Sequence, residues 1–311
     1  MRVVRHPRTA KSGSAIAIGS FDGVHRGHAE ILGHVKAAAS ERGLDSAILT
    51  FEPLPREFFG PADAPARLTS LGEKLVAVQA LGIHTAYVQR FDRAFAALAP
   101  ETFARRLREA MGARWVLVGG DFRFGARRAG DVASLGELGS RLGFEVEVLP
   151  DVTDDGRGRI SSTRIRAALA RGDFPGAAAL LGRPYAITGR VQHGEKRGRA
   201  LGFPTANVRL GRAKPALTGV FAVKCFGAAT RGLEGVASLG YNPAVRDGGP
   251  ATLEAFLFDF QGDLYGRRLT IEFLKKLRDE APFASLDALA AQIRRDCEAA
   301  REYFRATTGT R

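Results

Sequence analysis

From Met1 to about Leu181 the sequence alternates between short apolar runs and helix-patterned stretches, and after Leu181 the alternation stops. The runs Ala15 to Ile18, Ser46 to Phe51, Thr85 to Gln89, Trp115 to Val118 and Phe144 to Leu149 have strand length. Segments such as Leu71 to Leu81 and Glu101 to Met111 repeat with a helical period. Strands separated by helices predict a parallel sheet covered on both faces, an open α/β domain whose ligands sit beyond the carboxyl ends of the strands. From Gly182 to Asp279 the texture is different. Short β-rich segments (Ala186 to Val191, Gly219 to Phe226, Gly232 to Leu239, Leu253 to Phe260, Arg268 to Phe273) are separated by Gly, Pro and Asp turns, which predicts an antiparallel barrel. One helix closes it: Ser285 is the expected N-cap, and Leu286, Leu289, Ile293, Cys297, Ala300 and Phe304 form an apolar stripe. Two domains are therefore expected, residues 1–181 and 182–311, with a hinge at Gly182-Arg183-Pro184.

At 311 residues and 45% hydrophobic content the chain can bury a core in each domain. No apolar run approaches the roughly 18 residues of a membrane span, so a soluble, cytoplasmic protein is expected. Cys225 and Cys297 are isolated and suggest neither a disulfide nor a zinc site. The net charge of +13 raises nucleic-acid binding, but the basic residues are scattered, mostly Arg, and never run to five together. Anionic small molecules fit better than nucleic acid or a membrane surface.

Residues 15–34 read AIAIGSFDGVHRGHAEILGH. The apolar run ends in a turn loosened by Gly19 and Gly23, and a helix resumes at about Gly27, so His25 and His28 sit at a helix start. Unpaired N–H groups and the helix dipole favour an anion there, and both histidines can add donors. The dipole alone, about 0.3–1 kcal/mol, is too weak to run phosphoryl chemistry. Taken alone, two histidines this close also suit ordinary core or surface positions. Farther on, residues 160–166 read ISSTRIR and open a second helix capped by Ser161 or Ser162, offering hydroxyls and Arg166 to a phosphate chain. Between them residues 119–125 read GGDFRFG, where Phe122 and Phe124 are either core residues or, with Asp121, a surface for a planar ring.

HxGH after a strand and GSFDGV resembles the nucleotidylyltransferase superfamily, and with ISSTRIR and GGDFRFG it resembles the adenylyltransferase half of the bacterial bifunctional riboflavin kinase and FAD synthetase family. That resemblance implies a Rossmann-like first domain. It also implies adenylylation of FMN by ATP, giving FAD and pyrophosphate. Gly19, Phe21, His25, His28, Ser161, Ser162, Thr163 and Arg166 would then bind nucleotide, and Asp121, Phe122 and Phe124 would bind flavin.

In the second half, residues 197–207 read RGRALGFPTAN, preceded by Gly194. Glycines 194, 198 and 202 let backbone approach phosphate closely. In an extended segment Thr205 and Asn207 point to the same side, so a hydroxyl and an amide oxygen converge, which suits Mg²⁺ beside ATP phosphates and also suits a plain strand end. Glu254 lies on a strand whose other face is buried, either on the surface or on an inner rim where it could take a proton. The order GRALGFPTAN, GVFAV, LEAFLFDF, DLYG, FLKKLRDE and SLDAL resembles riboflavin kinase across the segment. It implies a barrel of riboflavin kinase type phosphorylating riboflavin to FMN with ATP, with Thr205 and Asn207 at Mg²⁺ and phosphate and Glu254 as general base. Asp296 and Arg301 match positions near the flavin. Leu54, where relatives often carry histidine, and Ala244, where threonine is usual, depart from the pattern. A rival enzyme reading keeps HxGH chemistry for another phosphorylated acceptor, with a non-catalytic flavin-binding barrel; a non-enzyme reading makes the scaffold a regulator. A monomer or weak homo-oligomer is expected.

Overall fold

The computed structural model describes residues 1–10, 12–154, 158–194, 202–212, 214–229, 231–241 and 251–308. In the first part of the chain the elements follow as β1 (Arg2–Val4), β2 (Ser14–Ile18), α1 (Arg26–Glu41), β3 (Asp45–Glu52), α2 (Pro55–Phe59), α3 (Leu71–Ala80), β4 (Thr85–Arg90), α4 (Arg93–Ala96), α5 (Pro100–Ala110), β5 (Ala113–Gly119), α6 (Val132–Leu142) and β6 (Glu145–Leu149). The strands form one sheet in the order β1-β4-β3-β2-β5-β6, and every neighbouring pair is parallel. All five residues of β2 are buried, as expected of a central strand covered on both sides. Alternate side chains divide between two cores. Ile16, Leu49, Tyr87 and Val116 join Phe103 and Leu107 of α5 and Leu135 of α6, whereas Ala15, Ile48, Ala86 and Leu117 join Leu32 and Val35 of α1 and Val78 of α3. Leu32 is fully buried, so Leu32→Ala would cost about 2–5 kcal/mol. The winding direction reverses between β2 and β5, so their carboxyl ends flank a crevice.

The second part contains α7 (Ser162–Ala170), α8 (Phe174–Leu181), β7 (Ala186–Gln192), β8 (Ala206–Val208), β9 (Gly219–Phe226), β10 (Leu233–Tyr241), β11 (Ala251–Leu257), β12 (Arg268–Arg278) and α9 (Leu286–Thr308). Strands β7 to β12 close an antiparallel barrel in the order β10-β11-β8-β7-β12-β9. Ser285 Oγ accepts from the Ala288 N–H at 3.1 Å, the cap expected for the closing helix. Ile293, Cys297, Ala300 and Phe304 of α9 pack with Val220, Ala222 and Val236 of the barrel.

Two strand ends lie three or more residues from the sequence expectation, the other bounds differing by two at most. β11 stops at Leu257, because Asp259 takes a left-handed φ of 55° and turns the chain while Phe258 stays in the core. β12 runs on to Arg278 through register shifts after Phe273 and after Lys276, which break the alternation in LKKLR and so hide the strand from a period-two reading.

By compactness the chain divides into Met1–Pro65 with Lys74–Ser161, and Ala66–Glu73 with Ser162–Arg311. Helices α7 and α8 thus group with the barrel, where the Phe174 ring meets Phe221 edge-on at 5.9 Å. Segment 66–73 is held in the same unit: Glu73 pairs with the fully buried Arg212 side chain and accepts from the Thr188 N–H at 2.6 Å. Contact density is a different property from the functional boundary expected near Leu181.

Candidate active sites

The turn from β2 into α1 is held in an unusual backbone. Phe21 (φ 47°), Gly23 (φ 87°) and Val24 (φ 43°) are all left-handed, and for a β-branched valine this is strained and must be held by its surroundings. Part of that hold is a chain of hydrogen bonds: Lys74 Nζ donates to Thr50 Oγ1 at 3.2 Å, and Thr50 Oγ1 donates to the Ser20 carbonyl at 3.3 Å. A Cβ on Gly19 would stand 3.3 Å from the Phe21 ring. His25 is the N-cap of α1, its Nδ1 accepting from the His28 N–H at 3.3 Å, so one of the helix-start donors and one His25 nitrogen are used within the turn. A neutral His25 in this role carries its proton on Nε2.

The rings of His25 and His28 stack at 3.7 Å, and His28 meets Phe21 edge-on at 5.2 Å. The glycine of HxGH has a steric reason, since a Cβ at Gly27 would press on the His25 ring at 3.3 Å and on the Ile160 carbonyl at 3.4 Å. His28 Nδ1 is buried without a hydrogen-bond partner among the described residues. Burial first, then the electrostatic effect of His25 and of the positive Lys74 and Arg159, holds His28 well below the ordinary histidine range, so at neutral pH it is an uncharged imidazole.

On the other face of the same unit lies a cavity of about 1010 Å³ lined by Phe51, Phe58, Phe91, Phe95, Phe122 and Phe124, with Arg56, Arg93, Arg123, Arg127 and Arg128 also on its wall. Phe122 and Phe124 stack at 5.6 Å with their planes 14° apart. The sequence singled out these two rings but not the other phenylalanines of the wall, among them Phe59 and Phe103. Asp121 is exposed outside that lining, 3.9 Å from Arg159, which also pairs with Asp151 at 3.2 Å. Leu54 is the N-cap residue of α2 and brings no polar side chain; its N–H donates to Glu57 Oε2 at 2.9 Å, and its carbonyl accepts from the Glu57 and Phe58 N–H groups.

Ser162 is the first residue of α7, with Ser161 before it and Thr163 and Arg166 in the first turns. Arg166 Nε donates to the Ala66 carbonyl within the second unit. In the barrel, β8 pairs with β11 so that Asn207 stands directly opposite Glu254. Thr205 Oγ1 donates to Glu254 Oε2 at 3.1 Å, and Thr205, Asn207 and Glu254 are all half-buried. Gly194 is required against Asn207, because a Cβ there would fall 2.4 Å from its amide. Gly202 has φ 84°, which glycine adopts without strain, while Gly198 and Ala244 lie outside the described residues. Hydroxyl, amide and carboxylate oxygens on one rim fit a hard divalent cation.

Asp296 is buried, and both its oxygens are engaged: Arg278 Nε donates at 2.9 and 3.1 Å, Arg278 Nη2 at 2.8 Å, and Gln292 Nε2 at 2.8 Å. Arg301 lies over the Phe258 ring at 4.2 Å and pairs with Asp259 at 3.2 Å. Both cysteine thiols are buried and pushed up, Cys225 to about 12 and Cys297 to about 11.

Comparison with known proteins matches residues 8–164 to the FAD synthetase family and residues 181–304 to the riboflavin kinase family. A solved structure described as a macrolide-efflux protein from Streptococcus pneumoniae is 30% identical, with a TM-score of 0.76 over 97% of this chain and 99% of its own. Among the described residues no helix is long and apolar enough to cross a membrane. The bifunctional riboflavin kinase/FMN adenylyltransferase of Pseudomonas fluorescens is 44% identical over 302 residues, 97% of this chain and 96% of that one. Those of Escherichia coli K12, 44% identical over 94% of each chain, and of Bacillus subtilis, 36% identical over 97% of each, carry the same name. With one family model on each half and relatives of this identity along nearly its whole length, the chain belongs to the bifunctional riboflavin kinase/FMN adenylyltransferase family.

Proposed function

We propose that the chain phosphorylates riboflavin with ATP and then adenylylates the resulting FMN with a second ATP, giving FAD and pyrophosphate. The observation that carries this is the meeting of Thr205, Asn207 and Glu254 on one barrel rim, in a chain whose other half presents a stacked histidine pair at a helix start. In the first step Glu254 takes the proton of the terminal ribityl hydroxyl as its oxygen attacks the γ-phosphorus, the bond to the β,γ-bridging oxygen breaks and ADP leaves. The Thr205 hydroxyl, 3.1 Å from that carboxylate, orients it and with Asn207 holds Mg²⁺ and phosphate. Bound Mg²⁺ neutralises charge on the phosphate oxygens. Gly194, Gly198 and Gly202 let the backbone approach the nucleotide.

In the second step a phosphate oxygen of FMN attacks the α-phosphorus and pyrophosphate leaves. His25 and His28 act as uncharged donors to phosphate oxygens at the β2–α1 turn. Ser161, Ser162, Thr163 and Arg166 keep the triphosphate-binding role their motif implies. No covalent intermediate is needed, since positioning and charge neutralisation supply the catalysis. The aromatic cavity with Phe122 and Phe124 on its wall suits the isoalloxazine ring, and the arginines there suit the phosphate. With Asp296 occupied by Arg278 and Gln292, the exposed Arg301 is the better candidate for direct flavin contact in the barrel. The functional boundary is placed at residues 181–182.

The test is incubation of the purified protein with riboflavin, ATP and Mg²⁺, followed by chromatography of the flavins. FMN should rise first and FAD follow, and chelation of Mg²⁺ should stop both. Riboflavin left unphosphorylated, with supplied FMN also unchanged, would overturn the assignment.

A further inference from the structure

One buried charge plays no part in either transfer as described. Lys74 is 1% exposed and, with Val78 one turn on, lies on the buried stripe of α3. An ammonium removed from water is costly unless it is hydrogen-bonded and its charge is used. Its Nζ donates to Thr50 at the end of β3, and Thr50 in turn grips the Ser20 carbonyl, the residue before the left-handed Phe21–Val24 turn and the His25 cap. Resting on the function proposed above, we propose that Lys74 is a positioning residue for adenylyl transfer, holding the Ser20–His25 turn through Thr50 and supplying buried positive charge within electrostatic reach of His28.

Two consequences follow from this arrangement. Loss of Lys74 loosens the turn that aims both histidines, and a displacement of about 1 Å at such a site costs about 10²-fold in rate. Loss of its charge also makes His28 easier to protonate. The charged and titratable groups acting on His28 are His25, Lys74 and Arg159, so removing one positive member raises its pKa while the stacked His25 and Arg159 still oppose protonation. Activity that needs an uncharged His28 is then lost at a higher pH as the solution is acidified.

The experiment uses full-length Lys74→Met and Thr50→Val, each checked for folding by circular dichroism. Adenylylation of supplied FMN and phosphorylation of riboflavin are measured separately, with the kcat of adenylylation followed against pH. Lys74→Met should adenylylate about 10²-fold more slowly, phosphorylate riboflavin normally, and show its acid limb moved to higher pH. Thr50→Val should slow adenylylation with the limb in place. A folded Lys74→Met that adenylylates at wild-type rate overturns the proposal. So does a rate loss with an unmoved limb, which marks a merely structural role. If Lys74→Met does not fold, wild-type adenylylation by Thr50→Val overturns it. FAD in the wild-type control with unaffected variants sinks this proposal alone, whereas no FAD in that control sinks the underlying function with it.

Discussion

Gly194→Ala adds one methyl group where there is no room for it. An ideal Cβ at that position stands 2.4 Å from Asn207 Cγ and Nδ2, and ordinary contact begins near 3.4 Å, so the amide must retreat by about 1 Å. Asn207 is half-buried and can swing toward solvent, which makes displacement easier than a shift of the strand. A 1 Å error in a positioning group is worth about 10²-fold in rate, or about 2.7 kcal/mol of barrier. Stability should move little. Gly194 has no positive φ, so alanine gains about 0.4–1 kcal/mol from the unfolded state, against a comparable strain from crowding. The assay compares riboflavin phosphorylation with adenylylation of supplied FMN: the first should fall by about two decades and the second should not change. If the loss runs through Asn207, Gly194→Ala added to Asn207→Ala should cost almost nothing further. Wild-type kinase activity in the single variant, or full additivity in the double, would refute the reasoning.

Glu254→Gln keeps shape but removes the proton acceptor, so phosphorylation should drop by about 10²–10⁴ with FMN adenylylation intact; an unchanged kinase rate would remove Glu254 from the role. His28→Ala should stall at FMN, read from the product ratio after long incubation, and loss of FMN formation in a folded variant would contradict the two-site assignment. The same histidine sets a pH dependence of stability: folded His28 sits below 6.5, so as pH falls through that value the unfolded chain binds a proton the folded chain does not. Stability should therefore decline below about pH 6.5, with a shallower Tm profile in His28→Ala. Glu73→Gln leaves the fully buried Arg212 without its carboxylate and should cost about 3–5 kcal/mol in urea denaturation; a loss below about 1 kcal/mol would mean the pair behaves like a surface one.

The central strands could be read directly because buried parallel strands are nearly continuous apolar runs, and Ala15 to Ile18 needs no partner to be recognised. β1 and β8, three residues each, are too short to show a period. The histidine pair was legible because its spacing is local. The Thr205–Glu254 hydrogen bond was not, since Glu254 meets Asn207 only through a register fixed by the closed barrel. Phe58 and the Phe91–Phe95 segment meet at the cavity only through tertiary packing of the first unit, which no local pattern shows. Lys74 did leave a trace: a lysine four residues before the buried Val78 on one helix stripe is a polar group in an apolar position.

The reversal of winding between β2 and β5 sends their two connections to opposite faces of the sheet. β2 leads into the histidine turn and a helix on one face, while β5 leads into the 120–130 turn and a helix on the other, so no backbone is shared between the two walls. The wall after β5 can change shape without disturbing the His25 cap or the Thr50 grip on Ser20. A graft replacing Phe122 to Gly130, which leaves Asp121 beside Arg159, is therefore expected to reshape that wall while sparing the His25 turn.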